Sequence, residues 1–279
     1  MEISCSSLFL WDYGIDEIAT ILGRAGIENI EFWAETPEFW QYRHEAKVVE
    51  HLEDVISTFF GHVTVHAPIM DLNPSSYNEH VRKATIKETF WAIDLSSKLD
   101  ARVLTIHPGN RTVHRQPTPE DWEKFFDYLT VCTGYAREMG VVLALENLSP
   151  RLQNMCYKPS LMRDVLAKYP DLMMTFDIAH ALQTGQDNAL DFINELGGRI
   201  VNVHVGGVQN GTPHYPGHMS RNREIIEILG RLQRSGYDND LTIEIDDKLI
   251  SRDMSRSDKI SALIKEKVYL IQALNIITI

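Results

Sequence analysis

Eight short apolar runs, each followed by a longer amphipathic stretch, constrain this chain more than any other feature. The runs begin at Glu2, Ile27, Gly61, Arg102, Val141, Leu172, Arg199 and Leu241. They end at Ser6, Trp33, His66, His107, Glu146, Asp177, His204 and Ile245. Such runs, bounded by turn residues, are too short for helices and read as buried strands. Between them, apolar residues recur at i, i+3 and i+4. This spacing predicts helices over Asp16–Arg24, Glu45–Phe60, Glu79–Leu99, Pro119–Gly140, Ser160–Tyr169, Asn188–Leu196, Arg221–Ser235 and Asp253–Asn275. Local punctuation agrees: Gly26 suits a C-terminal cap, and Thr118-Pro119 suits a helix start.

Strict alternation of strand and helix implies a parallel sheet with crossover helices. Eight units favour closure into a (β/α)8 barrel over an open doubly wound sheet. No G-x-G-x-x-G follows the first strand, which removes the main support for a dinucleotide-binding fold. A length of 279 residues suits one such barrel, which commonly takes about 250, so residues 1–279 are expected to form a single α/β domain.

Composition excludes little more. The content of 44% hydrophobic and 24% charged residues is that of a globular protein with a real core. No apolar run reaches the roughly 18 residues that span a bilayer. The start, Met1-Glu-Ile-Ser-Cys-Ser6, lacks the basic and apolar regions of a signal peptide, so a cytoplasmic location without membrane contact is expected. Cys5, Cys132 and Cys156 are far apart, without C-x-x-C spacing, and read as reduced thiols. A net charge of −12 argues weakly against a broad nucleic-acid footprint, although metal ions would bring positive charge into a local site. The oligomeric state is left open, a homo-oligomer included.

The chemistry-bearing residues gather at one end of the strands, the end that carries active sites in such barrels. Glu146, Asp177 and Glu244 terminate apolar runs, where a carboxylate is costly unless paired or metal-bound. Taken singly, each reads as a hydrogen-bonded rim residue. Together with His204 they form a Glu, Asp, His, Glu set that suits a divalent cation such as Mn²⁺, Zn²⁺, Co²⁺ or Mg²⁺. His66 and His107 end neighbouring strands, and His180 lies three residues beyond Asp177. Imidazole suits zinc-like ions, so these histidines are candidate ligands of additional metals, while His180 serves equally to bind a substrate hydroxyl.

His214 and His218 lie in a long loop after the seventh run, as exposed loop residues or ligands; His44, His51, His62, His80 and His114 have no comparable placement. Trp11 and Trp33 read as core packing before sugar-pocket walls, and Glu31 as a rim hydrogen-bonding residue before a ligand. All of this depends on strand phase, because a slip of one residue turns a side chain into the helix layer.

These strand ends resemble the xylose-isomerase-like barrel superfamily over nearly the whole chain, from Gly26-Ile-Glu-Asn-Ile-Glu31 to Glu244. In its sugar isomerase and epimerase branch, the resemblance implies one divalent metal held by Glu146, Asp177, His204 and Glu244. Asp177-Ile-Ala-His180 matches the D-x-x-H of that branch, which implies His180 close to substrate, with His66 and His107 as further substrate contacts. Glu146 and Glu244 are then implied to be the catalytic acid/base pair on opposite faces of a sugar or sugar phosphate, working through a metal-stabilised enediolate.

The endonuclease IV branch holds three zinc ions, and its further ligands are matched by His66, His107 and His180, with His107-Pro-Gly109 close to its H-P-G element. Its D-x-H element reads Thr212-Pro-His214, so the histidine is kept and the aspartate is missing. Ile3-Ser-Cys-Ser-Ser7 also lacks that branch's H-x-S. On the other side, the arginine that several epimerases place soon after the strand-seven histidine is absent. The leading expectation is therefore a metal-dependent sugar or sugar-phosphate isomerase or epimerase. The alternative is a metal-dependent phosphodiesterase acting on abasic DNA, the one case that calls for a nucleic-acid partner. A third, non-catalytic reading makes the site a ligand sensor.

Overall fold

In a computed structural model that describes residues 1–220 and 223–277, eight parallel strands close into a barrel. The barrel strands are β1 (Glu2–Ser6), β2 (Asn29–Trp33), β3 (Val63–His66), β4 (Leu104–Ile106), β5 (Leu143–Glu146), β6 (Met173–Asp177), β7 (Ile200–Val205) and β10 (Asp240–Ile243). They pair in chain order, and β10 closes the ring against β1. Between β7 and β10, strands β8 (Gly207–Gln209) and β9 (Thr212–Tyr215) form a separate antiparallel hairpin.

The longer helices are α1 (Ile15–Ala25), α3 (Ala46–Phe59), α4 (Glu79–Lys98), α5 (Pro119–Met139), α6 (Pro159–Lys168), α8 (Gln186–Leu196), α10 (Arg223–Arg234) and α11 (Arg256–Ile277). These are the eight the periodicity predicts, although the predicted start of α10 at Arg221 lies outside the described residues. Short helices α2 (Pro37–Tyr42), α7 (Ile178–Leu182) and α9 (Gly217–Ser220) lie outside the predicted helices. Gly26 caps α1 with φ of 69°, as its left-handed role requires. No described helix is long and apolar enough to cross a membrane. All three cysteines are free and buried.

Strand phase separates two environments. Outward residues such as Phe32, Val65, Ile106, Leu145, Phe176, Val203 and Ile243 join helix residues Leu22, Leu52, Ile93, Phe125, Phe192 and Leu263 in one apolar core. The alternate residues, among them Ser4, Glu31, Thr64, Thr105, Thr175, Asn202 and Thr242, are polar and buried. They meet across strands that are not neighbours. The Thr105 and Thr175 hydroxyls are 2.8 Å apart, and Asn202 Nδ2 donates to Glu31 Oε2 at 2.9 Å. Such contacts pass through the barrel lumen. Barrel interiors of this class are usually filled by branched apolar side chains; this one is lined with hydrogen-bonding groups.

Buried charges fix the loops at the functional end. Lys259 of α11, 1% exposed, donates from Nζ to Phe9 O (2.9 Å) and Asp247 Oδ2 (2.8 Å). It ties the turn after β1 to the turn after β10. The buried Glu35 carboxylate accepts from Ile69 N and Met70 N at 2.8 and 2.9 Å and pins the loop after β3. Replacing Lys259 by Met leaves a carbonyl and a carboxylate without their partner. Urea unfolding is expected to show a loss of about 2–3 kcal/mol, with little further loss on adding Asp247→Asn.

Candidate functional site

The candidate side chains sit at or just past the ends of the strands. His66, Glu146 and Asp177 are the last residues of β3, β5 and β6, and His204 is the penultimate residue of β7. His107 and Glu244 directly follow β4 and β10, while His180 comes from α7 and His214 from β9. The register places Asp177 beside His204, and His204 beside Thr242. All six strand-end groups continue the lumen-facing phase, so the phase that sequence left open is resolved in favour of one site.

Glu146 lies at its centre, 1% exposed. Its Oε2 is 3.0 Å from His107 Nε2 and 3.4 Å from His66 Nε2. Its Oε1 is 3.4 Å from His180 Nδ1 and 3.7 Å from His204 Nδ1. Glu244 Oε2 lies 2.8 Å from His204 Nδ1 and 3.8 Å from His214 Nδ1. Three sets of possible ligand atoms result, each within 4.8 Å: Glu146, Asp177, His204 and Glu244; His66, His107 and Glu146; and Asp177, His180 and His214. The two oxygens of Glu146 face different sets. A fourth set, Glu2, His62 and Asp240, gathers at the opposite end of the barrel, where His62 Nε2 is already 2.6 and 2.8 Å from the Asp240 carboxylate oxygens.

The donor chemistry fits a divalent cation. Among the described residues, Asp177 Oδ2 and His214 Nδ1 are buried without a hydrogen-bond partner, against the usual rule for buried polar atoms, and His204 Nδ1 and Glu244 Oε2 have only each other, 2.8 Å apart. Three histidines also have their outer nitrogen engaged. His66 Nδ1 donates to Ala67 O (2.9 Å), His180 Nδ1 donates to Asn147 O (2.9 Å), and His204 Nε2 lies 3.0 Å from Glu31 Oε2. Each therefore turns its other nitrogen to the site, as ligating histidines do. Mixed imidazole and carboxylate donors suit zinc, manganese or cobalt.

Charge balance in the metal-free site follows from the same contacts. Burial raises the Glu146 carboxyl, but the charges of His107 and His204 outweigh it and hold it well below the usual range. His204 and His214 likewise outweigh burial at Glu244 and lower it. Burial opposes protonation of His204, yet Glu244, Glu31 and Glu146 drive it well above the ordinary histidine value. His180 is pushed up to about 9, with burial outweighed by Asp177 and Glu146. His66 also rises against burial, through Glu146, whereas burial prevails at His107 and lowers it. Protons on His204 and His180 thus stand in for positive charge that a bound cation would supply, and binding would release them.

The loop after β7 divides its two histidines. His214 has φ of 60°, uncommon for a non-glycine residue, and its carbonyl accepts from Asp246 N at 2.9 Å. A Cβ on Gly206 would fall 2.7 Å from Glu244 O and 3.1 Å from His214 Cα, so only glycine lets the hairpin lie this close. His218 leaves the site, its Nδ1 lying 2.6 Å from Glu266 Oε2 on α11. Trp33 stacks on His66 at 4.0 Å with 7° between planes, which gives it a packing role against a site residue. Trp11 borders a surface groove with Trp40 and Met70.

Two supporting residues are richer than their sequence positions suggest. Asn147 accepts from Asp177 N (2.8 Å) and donates to Asp177 O (2.9 Å), clamping β5 to β6. Glu31 is a lumen residue beneath His204 and fully buried, rather than a rim group. The two-residue alternation back from Trp33 was the available signal for its direction, and nothing in sequence signalled its partner.

Asp177 supplies a test of the charge balance. Burial, with Glu244 and Glu146, pushes its carboxyl up to about 6 against the opposing charges of His180 and His214. The folded metal-free protein thus holds this proton more tightly than the unfolded chain. Stability from this group falls as pH rises from about 4 to about 6, and the penalty is complete above that window. Asp177→Asn removes the charge and keeps an oxygen to cap His180 N, which Asp177 Oδ1 accepts at 2.6 Å. Thermal melts in chelator are expected to favour the variant by on the order of 2 kcal/mol at pH 7, the gap closing near pH 4, while its metal binding weakens.

Comparison with known proteins agrees with this architecture. The pattern of the xylose isomerase-like TIM barrel family matches residues 19–266. An uncharacterized protein of Methanocaldococcus jannaschii is 33% identical over 97% of this chain and 98% of its own length. Fructoselysine 3-epimerase of Shigella flexneri is 22% identical over 79% of this chain and 81% of its own. Among solved structures, a D-tagatose 3-epimerase-like protein superposes with a TM-score of 0.82 at 24% identity, covering 100% of this chain and 98% of that one. An L-ribulose 3-epimerase does so with a TM-score of 0.74 at 18% identity, covering 100% and 96%. A closed parallel barrel, a cluster of carboxylates and imidazoles at its rim, and a family match across most of the sequence lead to one conclusion: the chain belongs to the xylose isomerase-like TIM barrel family.

Proposed function

We propose that this protein is a metal-dependent isomerase or epimerase of a sugar or sugar phosphate. The observation that carries this reading is the convergence of Glu146, Asp177, His204 and Glu244, with Asp177 Oδ2 buried and unpaired and His204 Nδ1 and Glu244 Oε2 paired only with each other. Relatives named for epimerisation of fructoselysine, and structural neighbours named for tagatose and ribulose, support it. A divalent cation held by those four residues would supply Lewis-acid polarisation of adjacent carbonyl and hydroxyl oxygens.

The chain's own groups do the rest. Glu146 and Glu244 are both held ionised, so either carboxylate can accept a proton from a sugar carbon, and the other returns one that it has first taken up from solvent. His180 and His107 reach the site from α7 and from the end of β4, where their ring nitrogens can hold sugar hydroxyls. Trp33, 4% exposed and stacked on His66, keeps water from the lumen on that side.

A second reading, a phosphodiesterase acting on abasic DNA, draws on one observation. The sets His66, His107, Glu146 and Asp177, His180, His214 offer places for further ions. Metal content separates the two. About one ion per chain favours the sugar enzyme; two or three ions that depend on His66, His107 and His214 favour phosphoester chemistry. Incision of abasic duplex DNA, beside proton exchange into ketoses, gives the activity arm, and failure of both with metal supplied favours a sensor. For the leading mechanism, Glu146→Gln and Glu244→Gln in excess Mn²⁺ are each expected to slow solvent deuterium exchange into ketose substrate by about 10²–10⁴-fold. Wild-type exchange in either variant would falsify the paired-glutamate mechanism.

A further inference from the structure

Beneath the site a second layer of side chains crosses the lumen. Thr242 Oγ1 donates to Asn202 Oδ1 at 3.0 Å, which orients that amide and leaves its Nδ2 to donate to Glu31 Oε2 at 2.9 Å. The same Glu31 oxygen lies 3.0 Å from His204 Nε2. A carboxylate oxygen only accepts, so the imidazole proton on Nε2 points to Glu31. His204 Nδ1 is the nitrogen that faces the cluster above, 2.8 Å from Glu244 Oε2, and its lone pair is offered to a cation once the proton it carries there is released. Three strands contribute to this relay, β10, β7 and β2, and all four of its side chains are fully buried.

His204 differs from the other anchored histidines in what holds it. His66 and His180 donate to neutral backbone carbonyls, Ala67 O and Asn147 O. His204 faces a carboxylate, the stronger acceptor, which makes its ring the more electron-rich ligand. Glu31 itself is too deep to reach the cluster as a ligand and falls in none of the candidate ligand sets. A buried carboxylate with no cation of its own is costly unless it serves a partner, and the partners here are the His204 imidazole and the Asn202 amide.

We propose that Glu31 is a positioning residue: it fixes the ring tautomer and orientation of His204, and thereby sets how tightly the Glu146, Asp177, His204 and Glu244 cluster holds its metal. This rests on the reading of those four residues as a metal centre. Asn202 and Thr242 act through Glu31, by directing the oxygen that meets His204.

The test uses the full chain stripped with chelator and titrated with Co²⁺ alone, followed by calorimetry and by the visible d–d spectrum of the bound ion. Glu31→Leu is expected to weaken Co²⁺ binding about 100-fold and to alter the spectrum; Glu31→Gln, which keeps an acceptor oxygen without the charge, is expected to lose about 10-fold. Thermal melts of the stripped variants report any purely structural damage, which would leave the bound-ion spectrum unmoved. Wild-type affinity and spectrum in both variants overturn the assignment, and Glu31→Gln alone decides if Glu31→Leu does not fold. His204→Ala is the control for the underlying reading. If it retains wild-type Co²⁺ affinity, the metal centre itself is misplaced and the role of Glu31 falls with it; if only His204→Ala loses affinity, Glu31 alone is misassigned.

Discussion

Four carboxylates enclosed in one barrel lumen, Glu31, Glu146, Asp177 and Glu244, none more than 4% exposed, impose the condition that organises the rest of this protein. Charges of one sign at such depth repel one another and have lost their hydration, so each needs a compensating neighbour. The sequence meets this with imidazoles delivered from five different segments. Glu146 takes two on one oxygen and two on the other, and Glu31 takes His204 from below. Asp177 is less compensated than Glu146 and Glu244, and its carboxyl is raised where theirs are lowered. A cation relieves the whole arrangement, because one ion faces several oxygens at once, whereas a proton serves only one nitrogen.

The hydrogen bonds around the cluster hold its side chains in place. Asn147 holds β6 by both backbone groups of Asp177, and Lys259 joins the turns that follow β1 and β10. Glu266 fixes the start of α9 through Gly217 N at 2.7 Å, which anchors the far end of the segment carrying His214. The candidate ligand atoms are thus placed by groups outside the cluster itself. That is the condition for a preformed site.

Much of this was legible in the sequence. Eight apolar runs alternating with helices favour the barrel over an open doubly wound sheet, and the ionisable residues at their ends name the rim. Phase was the open question, and the polar residues two before five of the six strand-end candidates, such as Thr64 before His66 and Asn202 before His204, are the signal that answers it; Glu146, preceded by Ala144, lacks it. Asn210-Gly211, with φ of 51° and 77°, is a recognisable hairpin turn inside what otherwise reads as loop. The pairing of Glu31 with His204 was not legible, since it joins residues 173 apart in sequence by a contact that no periodicity encodes. His214 and His218 show the same limit: four residues apart, they part company because of Glu266, far along the chain.

The division between a polar lumen and an apolar jacket bears on how this barrel could change over evolutionary time. Apolar burial supplies most of the stability of a fold, and here it lies between the strands' outer faces and the helices, led by Phe32, Phe125, Phe176 and Phe192. The ligand-bearing positions contribute little of that energy. A lineage could therefore exchange a histidine or an aspartate at the rim, gaining or losing an ion, without first weakening the jacket. The tripwire lies one layer down, where a group such as Asn202 serves several neighbours at once and cannot be replaced singly. Innovation in this architecture is expected to begin at the strand tips and to reach the buried relay last.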